Sequence, residues 1–387
     1  SSAASDVYKR QVLVISAMGK ETDELLRLAS DVSDTRPGRE MDMLITAGER
    51  KACALVCMAL HDAGVPADSF TGSQAGFLTD TNHTNAKILE VNPHRLRDAL
   101  DAGRVPVVCG SQGVSTEKDV TFLGRGGSDT TAVALAHALE ADVCELYSDV
   151  SGVFTTDPRV VADARKMATI SFEELLEMTA TGCPKPAMRS VEMARSFGVK
   201  LHVRSAFTWE PGTTVIETTR PTSEGEPAME DAIVSAVTHD VSEAKVTVSG
   251  VPDRPGIAAS KFRRMADLDV NVDMIVQNTS SEGVTDISFT VPHTDLDQAA
   301  AGIDSLIDEI GATSTEVDHD VARVSVVGAG MKSNPGVAAT VFEVLAAAGI
   351  NIQMISTSAI RISCVIDLAN AEAAVQALHA AFELETA

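Results

Sequence analysis

Phe122-Leu123-Gly124-Arg125-Gly126-Gly127-Ser128-Asp129-Thr130-Thr131 is the stretch on which the reading of this chain turns. A β-branched run ends at a fixed cation, two glycines let the backbone approach a ligand closely, and a Ser-Asp helix start leads into the apolar Ala132-Val133-Ala134-Leu135-Ala136. Arginine is always charged and forks paired donors at a planar anion, the geometry that grips a carboxylate. The helix behind it would add unpaired N–H groups and the positive end of its dipole. Strand, cation, glycine turn and helix in this order read as an anion-handling turn. Without Arg125 the glycines would indicate only an ordinary turn before a capped helix.

Outward from this stretch, strand-like and helix-like segments alternate through the first two-thirds of the chain. Residues 12–16 read as a buried strand, 22–30 as a helix and 50–63 as a longer apolar helix, with a turn at 62–66 leading to another strand. Beyond them, 95–102 reads as helix, 105–110 as strand, 130–140 as helix and 143–148 as strand; 172–180 and 190–197 read as helices and 200–205 as a strand. Val-rich strands alternating with helices predict an α/β fold with a covered, mainly parallel sheet. In such sheets ligands gather outside the carboxyl ends of the strands. Residues 218–231 have the polar, Pro- and Gly-containing composition of a linker. Residues 1–11 show no periodicity and no apolar core of a signal peptide, and read as a segment foreign to the fold.

After the linker the chain repeats itself. Lys245-Val246-Thr247-Val248-Ser249-Gly250 is answered by Arg323-Val324-Ser325-Val326-Val327-Gly328, and the turn Asp253-Arg254-Pro255-Gly256 by Ser333-Asn334-Pro335-Gly336. Helices at 257–267 and 337–348 follow, then Val270-Asn271-Val272-Asp273-Met274-Ile275 and Ile350-Asn351-Ile352-Gln353-Met354-Ile355 as strands, and further strands at 285–291 and 360–366. The repeated unit resembles the ACT fold, a ferredoxin-like βαββαβ module that pairs side by side and binds amino acids.

The 387 residues carry 55 Asp and Glu against 31 Lys and Arg, a formal charge of −24. Such a balance argues against a nucleic-acid surface, and no apolar run reaches membrane-spanning length. Cys53, Cys57, Cys109, Cys144, Cys183 and Cys364 form no CxxC pair and sit among apolar neighbours, so they read as buried, reduced thiols of a cytoplasmic protein. His61, His83, His94 and His137 have no acidic or Cys company at ligand spacing, and no metal site is expected from the residues.

Two ACT-like units behind an α/β domain carrying Gly-Arg-Gly-Gly-Ser-Asp-Thr-Thr resemble aspartokinase, of the amino-acid kinase superfamily, and most closely its lysine- and threonine-regulated actinobacterial members. Four further stretches carry the resemblance. They are Ser16-Ala17-Met18-Gly19 with Thr22-Asp23-Glu24-Leu25, Arg39-Glu40-Met41-Asp42-Met43-Leu44 running into Thr46-Ala47-Gly48-Glu49-Arg50, Phe70-Thr71-Gly72-Ser73-Gln74-Ala75-Gly76, and Tyr147 through Phe154 continuing to Thr156-Asp157-Pro158-Arg159. The resemblance implies an αβα sandwich kinase domain at 12–217, the linker at 218–231, and ACT domains at 232–315 and 316–387. It implies transfer of a phosphoryl group from ATP, with Mg2+, to the side-chain carboxylate of L-aspartate, giving 4-phospho-L-aspartate for lysine, threonine and methionine synthesis.

The resemblance also distributes roles. Arg125 would take the substrate carboxylate and Glu49 its ammonium, with Ser16, Thr22, Gly126, Gly127 and Ser128 around substrate or phosphates. Asp129 would orient catalytic lysines. Ser148, Asp149, Phe154 and Arg159 would hold ATP, Phe154 standing where the family often has Tyr. Lys185, displaced by one residue from the family's phosphate-binding lysine, would be catalytic and ATP-binding. Effector lysine or threonine would meet Asp253, Gly256, Ala258 and Gln277 in the first ACT unit and Asn351, Ile352 and Met354 in the second. Assembly would be an ACT-mediated homodimer, or an α2β2 complex with a regulatory subunit started internally near Met229.

Each position also has a plainer reading: Glu49 as a first-turn helix acid, Thr22-Asp23 as a helix cap, Asp157-Pro158-Arg159 as a turn, and the ACT methionines as packing. The family's opening Lys-Phe/Tyr-Gly-Gly loop has no counterpart in this sequence, so weak or no kinase activity is expected of the chain as it stands. Two other functions stay open from the sequence: another amino-acid kinase acting on a carboxylate, and an amino-acid-binding regulatory protein with an impaired kinase domain.

Overall fold

The computed structural model describes residues 10–217, 233–268, 270–277 and 283–385. The linker at 218–231, Met229 and most of the irregular head at 1–11 lie outside the described residues. Two compact units emerge: Ser1–Gly152 with Pro184–Glu217, and Val153–Cys183 with Thr218–Ala387.

The first unit is built on a parallel sheet in which Val105–Cys109 lies between Leu13–Ile15 and Ala67–Phe70. Val107, Val108 and Cys109 are buried on both faces, as a covered parallel strand requires. Cys144–Ser148 and Leu201–Ser205 pair parallel elsewhere in the unit, as the alternation predicts. The alternation did not predict a second, four-stranded sheet ordered Ile88–Val91, Phe77–Thr79, Gln112–Ser115, Val120–Phe122, with two of its three pairings antiparallel. Its strands are only three or four residues long, too short to show a period.

One helix runs from Gly38 to Asp62, starting twelve residues before the expected 50–63. Gly48 obscures it in sequence, since glycine is about 1 kcal/mol worse than alanine inside a helix. Here the missing side chain has a use: a Cβ at Gly48 would sit 3.1 Å from that of Ala17 and 3.2 Å from Glu21 Cγ. The helix therefore packs closely on the loop after the first strand and on the helix Glu21–Val32.

The second unit contains both repeats. Glu243–Pro252, Ile257–Asp267, Ile275–Gln277, Val284–Pro292, Leu296–Asp304 and Ser314–Asp318 form one complete βαββαβ module. The next module runs Val321–Val327, Gly336–Ala347, Met354–Thr357, Arg361–Asp367 and Ala371–Ala381, and its remaining strand comes from upstream of the first: Ala236–Asp240 pairs antiparallel with Val321–Val327. The modules thus interleave in sequence rather than meeting at 315/316, which falls within the strand Ser314–Asp318. The Asn-x-x-Met-Ile segments become strand only at Ile275 and Met354. Met274 and Met354 are buried and join Val321 and Val365 in one apolar cluster between the modules.

Residues 153–183, expected within the kinase domain, pack with this unit. Helix Phe172–Ala180 opens with a capping box in which the Ser171 hydroxyl accepts from the Glu174 N–H at 3.2 Å and Glu174 Oε2 accepts from the Ser171 N–H at 3.4 Å. The same buried carboxylate accepts from the Ser235 hydroxyl and from the Ala329 N–H at 3.2 Å. Glu177 pairs with Arg361 at 2.9 Å, and Thr181 and Thr238 share a hydrogen bond of 2.6 Å. At the end of the helix the Ala180 carbonyl accepts from Arg323 at 2.9 Å. Arg323 is 3% exposed and also faces Glu243 at 3.1 Å, Asp240 at 3.3 Å and Asp273.

Candidate active site

The opening motif sits at the carboxyl end of the parallel sheet, the place such sheets reserve for ligands. Helix Gly127–Ala138 begins there, with Gly126 as its N-cap in the left-handed region at φ 69° and no side chain capping it. Ser128 and Asp129 are therefore first-turn residues rather than the cap. Uncapped first-turn N–H groups next to Arg125 make an electropositive rim. Arg125 is exposed, and no hydrogen bond or ion pair engages its guanidinium among the described residues.

The two glycines serve the protein as well as any ligand. A Cβ at Gly126 would lie 2.2 Å from that of Ala187, and one at Gly127 would lie 2.9 Å from Ser111. Ser111 Oγ and Ser128 Oγ are 3.0 Å apart, and the Gly110 N–H donates to the Ile15 carbonyl at 2.9 Å. These contacts bring Ser16, Ser111 and Ser128 to one edge.

Glu49 stands beside that edge. It lies in the middle of the helix Gly38–Asp62 and is 2% exposed, so it is no first-turn acid. Its Oε2 is buried without a hydrogen-bond partner. Desolvation raises its pKa; the backbone at Glu49 and Ala17 and the charge of Arg50 pull the other way. A buried carboxylate oxygen lacking a donor is costly unless a cation comes to it. Thr22 lies in the first turn of its helix, whose N-cap is Lys20.

Asp129 Oδ2 accepts the Ala187 N–H at 3.0 Å. It thus holds the backbone two residues after Lys185, where the resemblance implied direct alignment of lysines. Lys185 itself is exposed, between exposed Pro184 and buried Pro186. Arg189, a residue without an expected role, grips the motif from behind. Its guanidinium donates to the Leu123 carbonyl at 2.8 Å and to the Ala86 carbonyl at 2.9 Å. Replacing it with Met would leave two acceptors unpaired, at about 1–3 kcal/mol each if they stay buried. A lower melting temperature and at least tenfold weaker binding at Arg125 are the expected results, read by thermal denaturation and calorimetry.

Ser148, expected to hold nucleotide, ends its strand in a local turn, its hydroxyl accepting the Val150 N–H at 3.3 Å, and Asp149 is exposed. Phe154 and Arg159 fall in the other compact unit. Phe154 bridges to Lys166, and Arg159 is held by Asp157 at 2.7 Å while its N–H donates to Asp157 Oδ1 at 2.8 Å. Asp157-Pro158-Arg159 is thus the turn that its plainer reading describes.

Four of the proposed effector residues converge. Asp253, Gly256, Ala258 and Gln277 line one cavity of about 290 Å³ with Arg254 and Ile257. Asn351, Ile352 and Met354 do not line it; Asn351 is exposed, Ile352 packs on the second module's core and Met354 is buried. Five of the six cysteines are buried, Cys183 being the half-buried exception, and all are free thiols. Among the described residues no group of three or more His, Cys, Asp or Glu could hold a metal ion, and no helix is long and apolar enough to cross a membrane.

The amino acid kinase family model matches residues 2–205, and an ACT domain model matches residues 246–305 and 324–382. An aspartokinase of Mycolicibacterium smegmatis is 55% identical over 376 residues, covering 96% of this chain and 88% of the relative. The chain belongs to the aspartokinase family. An aspartokinase of Corynebacterium glutamicum is 52% identical over the same span. Among solved structures, E. coli aspartokinase III in complex with aspartate and ADP matches with a TM-score of 0.76 at 26% identity, over 94% of this chain and 80% of that one. Within this aspartokinase family member, then, residues 2–205 match the kinase part and residues 246–305 and 324–382 the ACT regulatory part.

Proposed function

We infer that this chain phosphorylates the side-chain carboxylate of L-aspartate from ATP and is restrained by an amino acid bound to its ACT modules. The observation that carries the substrate assignment is the buried, unpartnered Oε2 of Glu49 at the sheet edge. An ammonium supplies the missing donors, and Arg125 supplies a cation for the α-carboxylate. A substrate held at both charged ends leaves its side-chain carboxylate free to attack the γ-phosphorus. The new P–O bond forms as the bond to ADP breaks, and the enzyme's task is chiefly positioning and charge stabilisation. First-turn N–H groups of the helix Gly127–Ala138 and the Lys185 ammonium suit the developing phosphoryl charge. Ser148 and Asp149 suit the nucleotide, which brings Mg2+ on its own phosphates. A coupled ADP-release assay over L-aspartate, L-glutamate and N-acetyl-L-glutamate tests the assignment. Phosphorylation confined to aspartate supports it, and preference for either other acid removes it.

The cavity at Asp253 suits a free amino acid: a carboxylate for the effector ammonium, with Ala258 and Gln277 at the wall. Asp253→Ala is expected to weaken lysine or threonine binding by about 1.5–3 kcal/mol, roughly ten- to a hundredfold. Aspartate affinity should stay unchanged, both being read by calorimetry. The exposed Ile275 and Ile355, at corresponding positions of the two modules, support a paired assembly through the ACT edges, as a homodimer or with a separate regulatory subunit. A cytoplasmic place suits the chain, whose thiols are free and, but for Cys183, buried.

A further inference from the structure

The helix Gly38–Asp62 carries a second buried carboxylate. Asp42 is wholly buried and lies seven residues before Glu49, two turns along nearly the same face and about 10 Å away. Its Oδ2 accepts from His83 Nδ1 at 2.7 Å and its Oδ1 from the Thr84 N–H at 2.8 Å. Thr84 is held at φ 67°, left-handed for a β-branched residue, so the loop is over-determined at this point. The approach is close on both sides, since a Cβ at Gly38 would lie 2.8 Å from that of His83.

The same loop is the wall against which the substrate-binding turn rests. A Cβ at Gly124 would meet Asn85 Oδ1 at 2.9 Å and the Thr84 carbonyl at 3.4 Å. The Ala86 N–H donates to the Phe122 carbonyl at 2.9 Å, and Arg189 clasps Ala86 and Leu123 together.

We propose that Asp42 and His83 are a positioning pair that sets the distance between Glu49 and Arg125, and so the length of amino acid the site accepts. The inference rests on the substrate reading above. Glu49 is placed directly by its helix. Arg125 is placed through Asp42, the loop at 83–86 and Gly124. Neither Asp42 nor His83 is assigned contact with substrate. Loosening the pair lets the two charged ends of the clamp drift apart, and a misplacement of about 1 Å at positioning contacts costs on the order of a hundredfold.

The test is calorimetric titration of the full chain with L-aspartate and L-glutamate in the presence of magnesium ADP. His83→Ala should weaken aspartate binding ten- to a hundredfold and narrow the preference for aspartate over glutamate, while ADP affinity holds. His83→Gln, whose amide can still donate to Asp42, should restore most of both. Asp42→Ala, which loses both acceptors, should resemble His83→Ala. Unchanged aspartate affinity in His83→Ala, or an equal loss for aspartate and ADP without rescue by His83→Gln, overturns the proposal. Glu49→Gln separates the two layers: if it binds aspartate as well as the unaltered chain does, the substrate reading fails and the positioning role falls with it.

Discussion

Glu49→Gln is expected to abolish strong aspartate binding and, at the same time, to raise the melting temperature of the unliganded chain at neutral pH. Removing one partner of a desolvated charge pair typically costs about 2–5 kcal/mol of binding, at tenfold per 1.4 kcal/mol. The opposite sign for stability follows from the pKa. Burial holds the Glu49 carboxyl above its ordinary value, so the folded chain takes up this proton more readily than the unfolded one. The contribution of such a group to stability is present below its unfolded pKa and is lost as pH rises through the folded one. At neutral pH the ionised, unpaired carboxylate therefore weighs against folding, and an uncharged amide removes that weight. Two measurements check the argument. The melting-temperature gain should shrink as the solution is acidified. Aspartate affinity of the unaltered chain should fall on acidification at a higher pH than an ordinary carboxylate would dictate, because the ammonium needs Glu49 ionised. A variant that is neither more stable nor defective in binding would remove Glu49 from the site.

Arg323→Met should be the most destabilising single change in the second unit. Arg323 faces Asp240, Glu243 and Asp273 and donates to the Ala180 carbonyl from a nearly sealed position. Even with the arginine in place, burial keeps the Glu243 carboxyl above its usual range, while Arg323 opposes the shift. Breaking a buried ion pair by removing one partner costs about 3–5 kcal/mol, because the remaining charge stays buried. Here three carboxylates and a carbonyl would lose a common partner. The loss should appear as a large drop in the denaturation midpoint of this unit. Adding Glu243→Gln to Arg323→Met should recover part of it, since the two changes share one site. An unfolding free energy within about 0.5 kcal/mol of the unaltered chain's, the range of ordinary surface substitutions, would show that the cluster carries no such weight.

Arg323 also illustrates where sequence reading stops. It appears in sequence only as the first residue of a repeated strand. Its partners come from three stretches, 240–243, 273 and 180, that nothing local connects. The interleaving of the ACT modules is hidden for the same reason. A strand at Ala236–Asp240 has equal claim on either sheet until antiparallel pairing with Val321–Val327 assigns it. Likewise His83 reads as a histidine without acidic company at ligand spacing, and only the fold brings Asp42 to it. The one early signal was the seven-residue spacing of Asp42 and Glu49, legible once both belong to one helix. Gly48 disguised that helix.

What the sequence determined by itself was local or repeated: the alternation that makes the α/β unit, the twin Pro-Gly turns, and the run from Gly124 to Thr131. Such features depend on neighbouring residues and on the two side-chain periods, so they survive without coordinates. The tertiary structure alone decided that Gly126 and Gly127 make room for Ala187 and Ser111, that Asp129 holds a backbone N–H, and that Glu49 is buried with an oxygen unpaired. It also assigned residues 153–183 to the packing of the regulatory unit. Burial and pairing depend on contacts between distant residues, and the free energy of placing a charge is set by what surrounds it in space.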